Sequence, residues 1–175
     1  MSSMPMAQSP EILCRVLEHK DVPIVASLFC SAFVSLENEV SRAEERIENE
    51  VSGAVVATVD DQVIGALFFD LKFEGYRKAL YIEQVAVFPH CRRLGACSSL
   101  LDWSAGVASQ FGCHYIFLLV RNENVDAISC YERNGFVVRD SGVIAPRSED
   151  PKIIRMECDL TSTRQLFPGL LRQKL

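Results

Sequence analysis

The chain has 175 residues and 19.6 kDa, the size of one domain, and should bury roughly 70% of its unfolded surface without needing metals or disulfides. Hydrophobic residues make up 49% and charged residues 23%, ordinary globular usage that excludes a disordered or fibrous chain. A net charge of −5 disfavours broad electrostatic binding to nucleic acid or anionic membrane, and wholly apolar runs such as Tyr115–Val120 fall far short of the ~20 residues of a spanning helix.

Residues 1–10 lack a basic start and an apolar stretch, so they read as a frayed, disordered leader rather than a signal peptide. Glu11–Leu17 alternates apolar and polar residues and predicts a first strand. Asp21 then caps a helix with Pro23 in its first turn and an apolar stripe of Ile24, Leu28, Phe29, Ala32 and Phe33. A second, acidic helical stretch follows from Leu36 to Val51. A hairpin comes next, with Ala54–Val59 and Val63–Phe69 joined at Asp60-Asp61-Gln62. Glu74–Lys78 reads as a polar connection into the strand Leu80–Phe88.

From Arg93 to Phe111 the period becomes helical, with Leu100, Trp103 and Val107 on one side and Gly112 as the stop. Tyr115–Val120 fits a strand buried on both faces. A helix Asn124–Arg133 ends at Asn134-Gly135, and Phe136–Arg139 and Ile153–Cys158 are the closing strands around a polar loop, Asp140–Lys152. The order β-α-α-β-β-β-α-β-α-β-β predicts an α/β (α+β) chain with a mixed sheet: a domain over 11–160 and a tail over 161–175. Leu166, Phe167, Leu170 and Leu171 give that tail a face for the domain or for a second copy of the chain, as in a homodimer, and both stay open.

Seven cysteines, at 14, 30, 91, 97, 113, 130 and 158, form no C-x-x-C pair and match no zinc-site spacing, so no metal is expected. Most fall in apolar segments, where a free thiol behaves as a small hydrophobe. A reduced cytoplasmic protein is the expectation.

The chemistry concentrates where the strand ending at Phe88 meets the helix, across Pro89-His90-Cys91-Arg92-Arg93-Leu94-Gly95-Ala96-Cys97. The first turn of a helix offers unpaired N–H groups and a positive dipole end, which suit phosphate. Gly95 allows close backbone approach, and Arg92 and Arg93 add charge. This turn resembles the R/Q-x-x-G-x-G/A loop of the GNAT superfamily of acyl-CoA-dependent N-acetyltransferases. About 30 residues on, Asn124–Phe136 resembles the same superfamily's N-x-x-A-x-x-x-Y-x-x-x-G-F segment, with Asn124, Ala127, Tyr131, Gly135 and Phe136 in register.

The resemblance implies a central sheet that splays into a V, with helices on its flanks and acetyl-CoA as co-substrate. The pantetheine arm would pair with backbone of Val85, Ala86 and Val87. The pyrophosphate would sit on N–H groups of Arg93, Leu94, Gly95, Ala96 and Cys97 beside Arg92, with Asn124 helping to hold the cofactor. Cys97 departs from the usual Gly or Ala; it reads as a small residue that fits, or as a thiol acidified at a helix N-terminus and so oxidisable.

Amide formation needs a neutral amine, and an alkyl ammonium with a pKa of about 10.4 must first lose a proton. The departing thiolate then needs a proton. Tyr131 is the candidate acid, because the motif sets it near the cofactor's sulfur; packing in the core is its other reading. Glu83 is the candidate base, since glutamates at that position act in some small-amine members, and a carboxylate at a solvated strand end is the alternative. Tyr81, two residues earlier, shares its face and resembles a tyrosine of some N-terminal protein acetyltransferases. Those enzymes pair it with a histidine where this chain has Leu119.

None of the three histidines stands out as a catalyst. The stretch Glu37–Glu50, with six glutamates and two arginines, reads as a solvated helix face with pairs such as Arg46–Glu50, or as the border of a groove for a cationic amine. The expected reaction is acetyl transfer to a primary amine by direct attack, with a small-molecule acceptor favoured. A protein N-terminal or lysine acetyltransferase and a non-catalytic acyl-CoA-binding domain are the alternatives.

Overall fold

A computed structural model describes residues 10–30, 36–47, 49–139 and 153–160. The leader 1–9, Ala32, Phe33, the loop 140–152 and the tail 161–175 lie outside the described residues. The strands are β1 (Leu13–Val16), β2 (Ser52–Val59), β3 (Gln62–Glu74), β4 (Arg77–Val87), β5 (Tyr115–Arg121), β6 (Val137–Arg139) and β7 (Ile153–Asp159). The helices are α1 (Val22–Cys30), α2 (Leu36–Glu45), α3 (Ala96–Gln110) and α4 (Val125–Arg133). The element order matches the one the sequence predicts.

All seven strands join one sheet in the order β1-β2-β3-β4-β5-β7-β6. Neighbours are antiparallel except β4 and β5, which run parallel across the α3 crossover. Side chains alternate between the two faces as the pleat requires. Val55, Ala57, Leu80, Ile82, Ile116 and Leu118 pack under α3 and α4 with Leu100, Leu101, Ala105 and Tyr131. Ala54, Val56, Ala66 and Phe68 face the other way, onto Val25, Leu28 and Phe29 of α1 and Ala43 of α2.

Several boundaries move, each for a local reason. The α1 stripe is Val22, Val25, Ala26, Leu28 and Phe29, while Ile24 is 41% exposed. Helix α2 stops at Glu45 because Asn49 Oδ1 accepts the N–H groups of Val51 (2.9 Å) and Ser52 (3.1 Å), which turns the chain into β2. Strands β3 and β4 reach 74 and 77, replacing the expected polar connection with a hairpin whose turn uses Gly75 at φ +62°.

Helix α3 begins at Ala96 rather than Arg93, since Arg93 (φ 65°) and Gly95 (φ 97°) are both left-handed. It ends in a Schellman motif: Cys113 N–H bonds Ala108 O (2.8 Å) and Gly112 N–H bonds Ser109 O (3.1 Å).

Candidate active site

The β4–β5 ladder runs only from Ala79↔Tyr115 to Ile82↔Leu118. Beyond it β4 continues to Val87 and β5 to Arg121, so residues 84–87 keep β3 as a partner but lose β5. Between Phe68↔Gln84 and Phe69↔Ile82 a bulge leaves Glu83 as the extra residue of β4. Bulges bend a strand and re-aim its side chains. The sheet therefore opens where Val85, Ala86 and Val87 stand, with their backbone free on the β5 side.

The turn after β4 faces that opening. A short 3-10 turn, Pro89–Cys91, leads into exposed Arg92, Arg93, Leu94 and Gly95. Ser99 N–H returns to Gly95 O at 3.0 Å, the first bond of α3, which leaves the N–H groups of Ala96, Cys97 and Ser98 without helical acceptors. Neither Arg92 nor Arg93 has an ion pair among the described residues. A dianionic pyrophosphate suits this set of donors.

Helix α4 explains the second motif residue by residue. Asn124 is its N-cap, accepting the Ala127 N–H at 3.3 Å. At the other end Phe136 N–H bonds Tyr131 O (3.1 Å) and Gly135 N–H, at φ 83°, bonds Glu132 O (3.1 Å), a second Schellman motif. Its usual hydrophobic contact is the Tyr131–Phe136 ring pair, 6.0 Å between centroids. Tyr131 is 7% exposed and its hydroxyl has no hydrogen-bond partner among the described residues. Burial, and then Cys97 and Cys130, push its phenol well above the ordinary value, so it stays protonated at neutral pH.

Beside Tyr131, the sulfurs of Cys97 and Cys130 lie 2.9 Å apart. The hydrogen bond with Cys97, helped by Arg133 and Ser98 against burial, pulls the Cys130 thiol down to about 7. Its counterpart raises Cys97 strongly, first through the same bond and then through burial. The acidified thiol is thus Cys130, not Cys97 as the helix N-terminus alone suggests. Nothing in the sequence pairs the two residues, which are 33 positions apart.

Glu83 and Tyr81 lie on the opposite face. Glu83 accepts hydrogen bonds from Arg42 Nη2 and Arg46 Nη2. Arg42 also holds Glu39 (3.0 Å), and Arg46 reaches Asp70 (3.4 Å) and lies 4.7 Å over the Phe68 ring. Glu39 is fully buried, its Oε2 unpartnered, and the Arg46 side chain is 8% exposed. The acidic stretch is therefore in part a buried network that clamps α2 to β3 and β4, and Arg46 pairs with Glu83 and Asp70 rather than Glu50. The solvated-face reading fails at these residues. Tyr81 stacks on Phe117 at 4.9 Å, and burial, then Glu83 and Asp70, raises its phenol. Leu119 sits just past the last β4 pairing, on the side of Phe117. Among the described residues no cluster of three or more metal-ligating side chains occurs, and no helix is long and apolar enough to cross a membrane.

Residues 23–136 match the model of the acetyltransferase (GNAT) family. A chloroplastic GCN5-related N-acetyltransferase 6 from Arabidopsis thaliana is 24% identical over 140 residues, covering 72% of this chain and 47% of the relative, so the chain spans about half of that protein's length. Acetyltransferase SG1711 from Sodalis glossinidius is 27% identical over 129 residues, covering 73% of this chain and 88% of its own. The acetyl-CoA-bound structure of yncA, a putative acetyltransferase from Salmonella typhimurium, superposes with a TM-score of 0.69 at 19% identity, covering 89% of this chain and 97% of that one. A Vibrio cholerae spermidine N-acetyltransferase SpeG variant gives 0.69 at 18%, covering 88% and 96%. The extent of the family match, over a sheet that opens in front of the α3 turn, places this chain in the acetyltransferase (GNAT) family.

Proposed function

We propose that the chain transfers an acetyl group from acetyl-CoA to a primary amine by direct attack within a ternary complex. The observation that carries this reading is the parting of β4 from β5 after Ile82 and Leu118, in front of the free first turn of α3. Cofactor and acceptor can meet through that gap from opposite faces of the sheet. The cofactor's pyrophosphate rests on the N–H groups of Arg93, Leu94, Gly95, Ala96 and Cys97, with Arg92 adding charge. Its pantetheine arm pairs with Val85, Ala86 and Val87, and Asn124 lies at its side while capping α4.

Tyr131 gives its proton to the departing CoA thiolate. Its raised pKa favours this role, because the phenol is fully protonated when the C–S bond breaks. Glu83 takes the ammonium proton, directly or through water, with Arg42 and Arg46 fixing both carboxylate oxygens. Tyr81 remains protonated at neutral pH, which suits it to orient or relay rather than to start the deprotonation.

A small cationic amine is the favoured acceptor class, supported by the partly exposed carboxylates Asp70 and Glu83 on the acceptor face; the SpeG neighbour is a spermidine N-acetyltransferase. The test is release of free CoA thiol from acetyl-CoA with a panel of polyamines, amino sugars, amino acids and peptides with free N-termini. Turnover on small amines is expected. Turnover on peptides alone would shift the reading to protein acetylation, and CoA binding without turnover on any amine would leave an acyl-CoA-binding domain.

A further inference from the structure

The two thiols of the close cysteine pair have no part in the proposed acetyl transfer, in which Cys97 serves through its backbone N–H alone. We infer that Cys97 and Cys130 form a redox-active dithiol, which a hydroperoxide closes into a reversible disulfide stapling the first turn of α3 to α4.

Geometry is the main support. Cys97 is the second residue of α3 and Cys130 the sixth of α4, and their sulfurs already stand 2.9 Å apart. A disulfide needs about 2.05 Å, so closure asks for a shift of roughly 0.9 Å, within the reach of small side-chain rotations. The two helices are also tied beside the sulfurs. Asn134 Nδ2 donates to Ser98 Oγ (3.0 Å) and to Cys130 O (2.8 Å), which holds the end of α4 against the start of α3. Both thiols are partly exposed and open to a small oxidant, whereas Cys113 and Cys158 are buried. Reactivity points the same way. The shared hydrogen bond, then Arg133, favours a thiolate on Cys130, while burial pushes the Cys14 thiol up to about 11.

The chemistry balances in two steps. The Cys130 thiolate attacks one oxygen of hydrogen peroxide; an S–O bond forms, the O–O bond breaks, and hydroxide leaves to become water with a proton from solvent. Cys130 is then a sulfenic acid. The Cys97 sulfur attacks it, forming the S–S bond and breaking S–O, and the leaving hydroxide takes the Cys97 proton as a second water. Two electrons pass from the thiols to the peroxide, and a reducing dithiol reverses the staple.

The test uses the full chain, reduced, desalted and treated with a small molar excess of hydrogen peroxide, followed by N-ethylmaleimide in denaturant. The expected result is an intact mass about 2 Da lower before alkylation, two fewer alkylated thiols, and full recovery on dithiothreitol. Trypsin leaves Cys97 and Cys113 on one peptide, 94–121, so fragment ions must assign the link to Cys97 and Cys130. In Cys97→Ser, dimedone should trap a sulfenic acid on Cys130; in Cys130→Ser it should trap none on Cys97. Iodoacetamide at pH 7 should label Cys130 at least about tenfold faster than Cys14. An unchanged wild-type mass, a Cys97–Cys113 link, or Cys130 driven to the sulfinic acid while Cys97 stays free would each overturn the inference. The wild-type mapping decides even where a serine variant folds poorly, and it reads the same whether or not the chain acetylates amines.

Discussion

The two faces of the sheet meet at the same opening but are built differently. On the cofactor face, order comes from consecutive backbone groups: the left-handed Gly95, the free first turn of α3, and the Asn124 cap and Schellman end of α4. Tyr131 is held there by its position in a helix and by apolar packing. On the acceptor face, Glu39, Arg42, Glu83, Arg46 and Asp70 order one another through charge, across three elements distant in sequence. The first design is local and tolerates drift elsewhere in the chain. The second is collective, so losing one member strands the others. A buried ion-pair network adds little over an apolar core of the same shape, yet breaking it is costly.

The sharpest way to separate the faces is Tyr131→Phe. Turnover should fall by about 10²–10⁴-fold while the CoA dissociation constant stays within about twofold, read from steady-state rates and calorimetry. Because the phenol titrates well above its usual range, the wild-type kcat should show no loss from this group through about pH 9. The acceptor face should respond in stability. Arg46→Met leaves Glu83 and Asp70 without that guanidinium and should cost about 3 kcal/mol in urea unfolding, and Arg42→Met, which strands the fully buried Glu39, should cost at least as much. Gly95→Ala strains a left-handed residue. It should cost about 1–2 kcal/mol and weaken CoA about tenfold, with the acceptor KM little changed.

The smallest effect lies away from both faces. Hydrogen bonds from Arg155, and then from Tyr115, hold the Glu74 carboxyl below the usual glutamate range against partial burial. A lowered folded pKa gives stability that is full above the unfolded value of about 4.3 and is lost as pH falls through the folded one. The melting midpoint should drop between about pH 5 and pH 3, and Glu74→Gln should flatten that drop.

How legible each region is in the sequence follows from the same contrast. Asn124, Ala127, Tyr131, Gly135 and Phe136 are N-cap, third residue, Schellman carbonyl, left-handed glycine and staple, a pattern complete within thirteen residues. Such local geometry leaves a readable spacing, and the strand order follows from periodicity in the same way. Arg42 and Arg46 meet Glu83 at separations of 41 and 37, so on the page they look like charges of a solvated helix. Only the sheet, with α2 laid across β3 and β4, brings them together. The arms of the β3–β4 hairpin were hidden for a related reason. Phe73 near the end of β3 and Tyr76 in the turn are exposed, and without a buried face the alternation of a strand disappears. The Cys97–Cys130 contact, at 33 residues, belongs to the same illegible class.

Whether the two faces act on one assembled complex is decided by initial velocities. Acetyl-CoA and the best amine of the panel are each varied at several fixed levels of the other. Double-reciprocal lines that intersect are predicted, because the thioester and the amine must occupy the opening together. Parallel lines, with acetyl-enzyme trapped in the absence of amine, would contradict direct attack through the gap between β4 and β5.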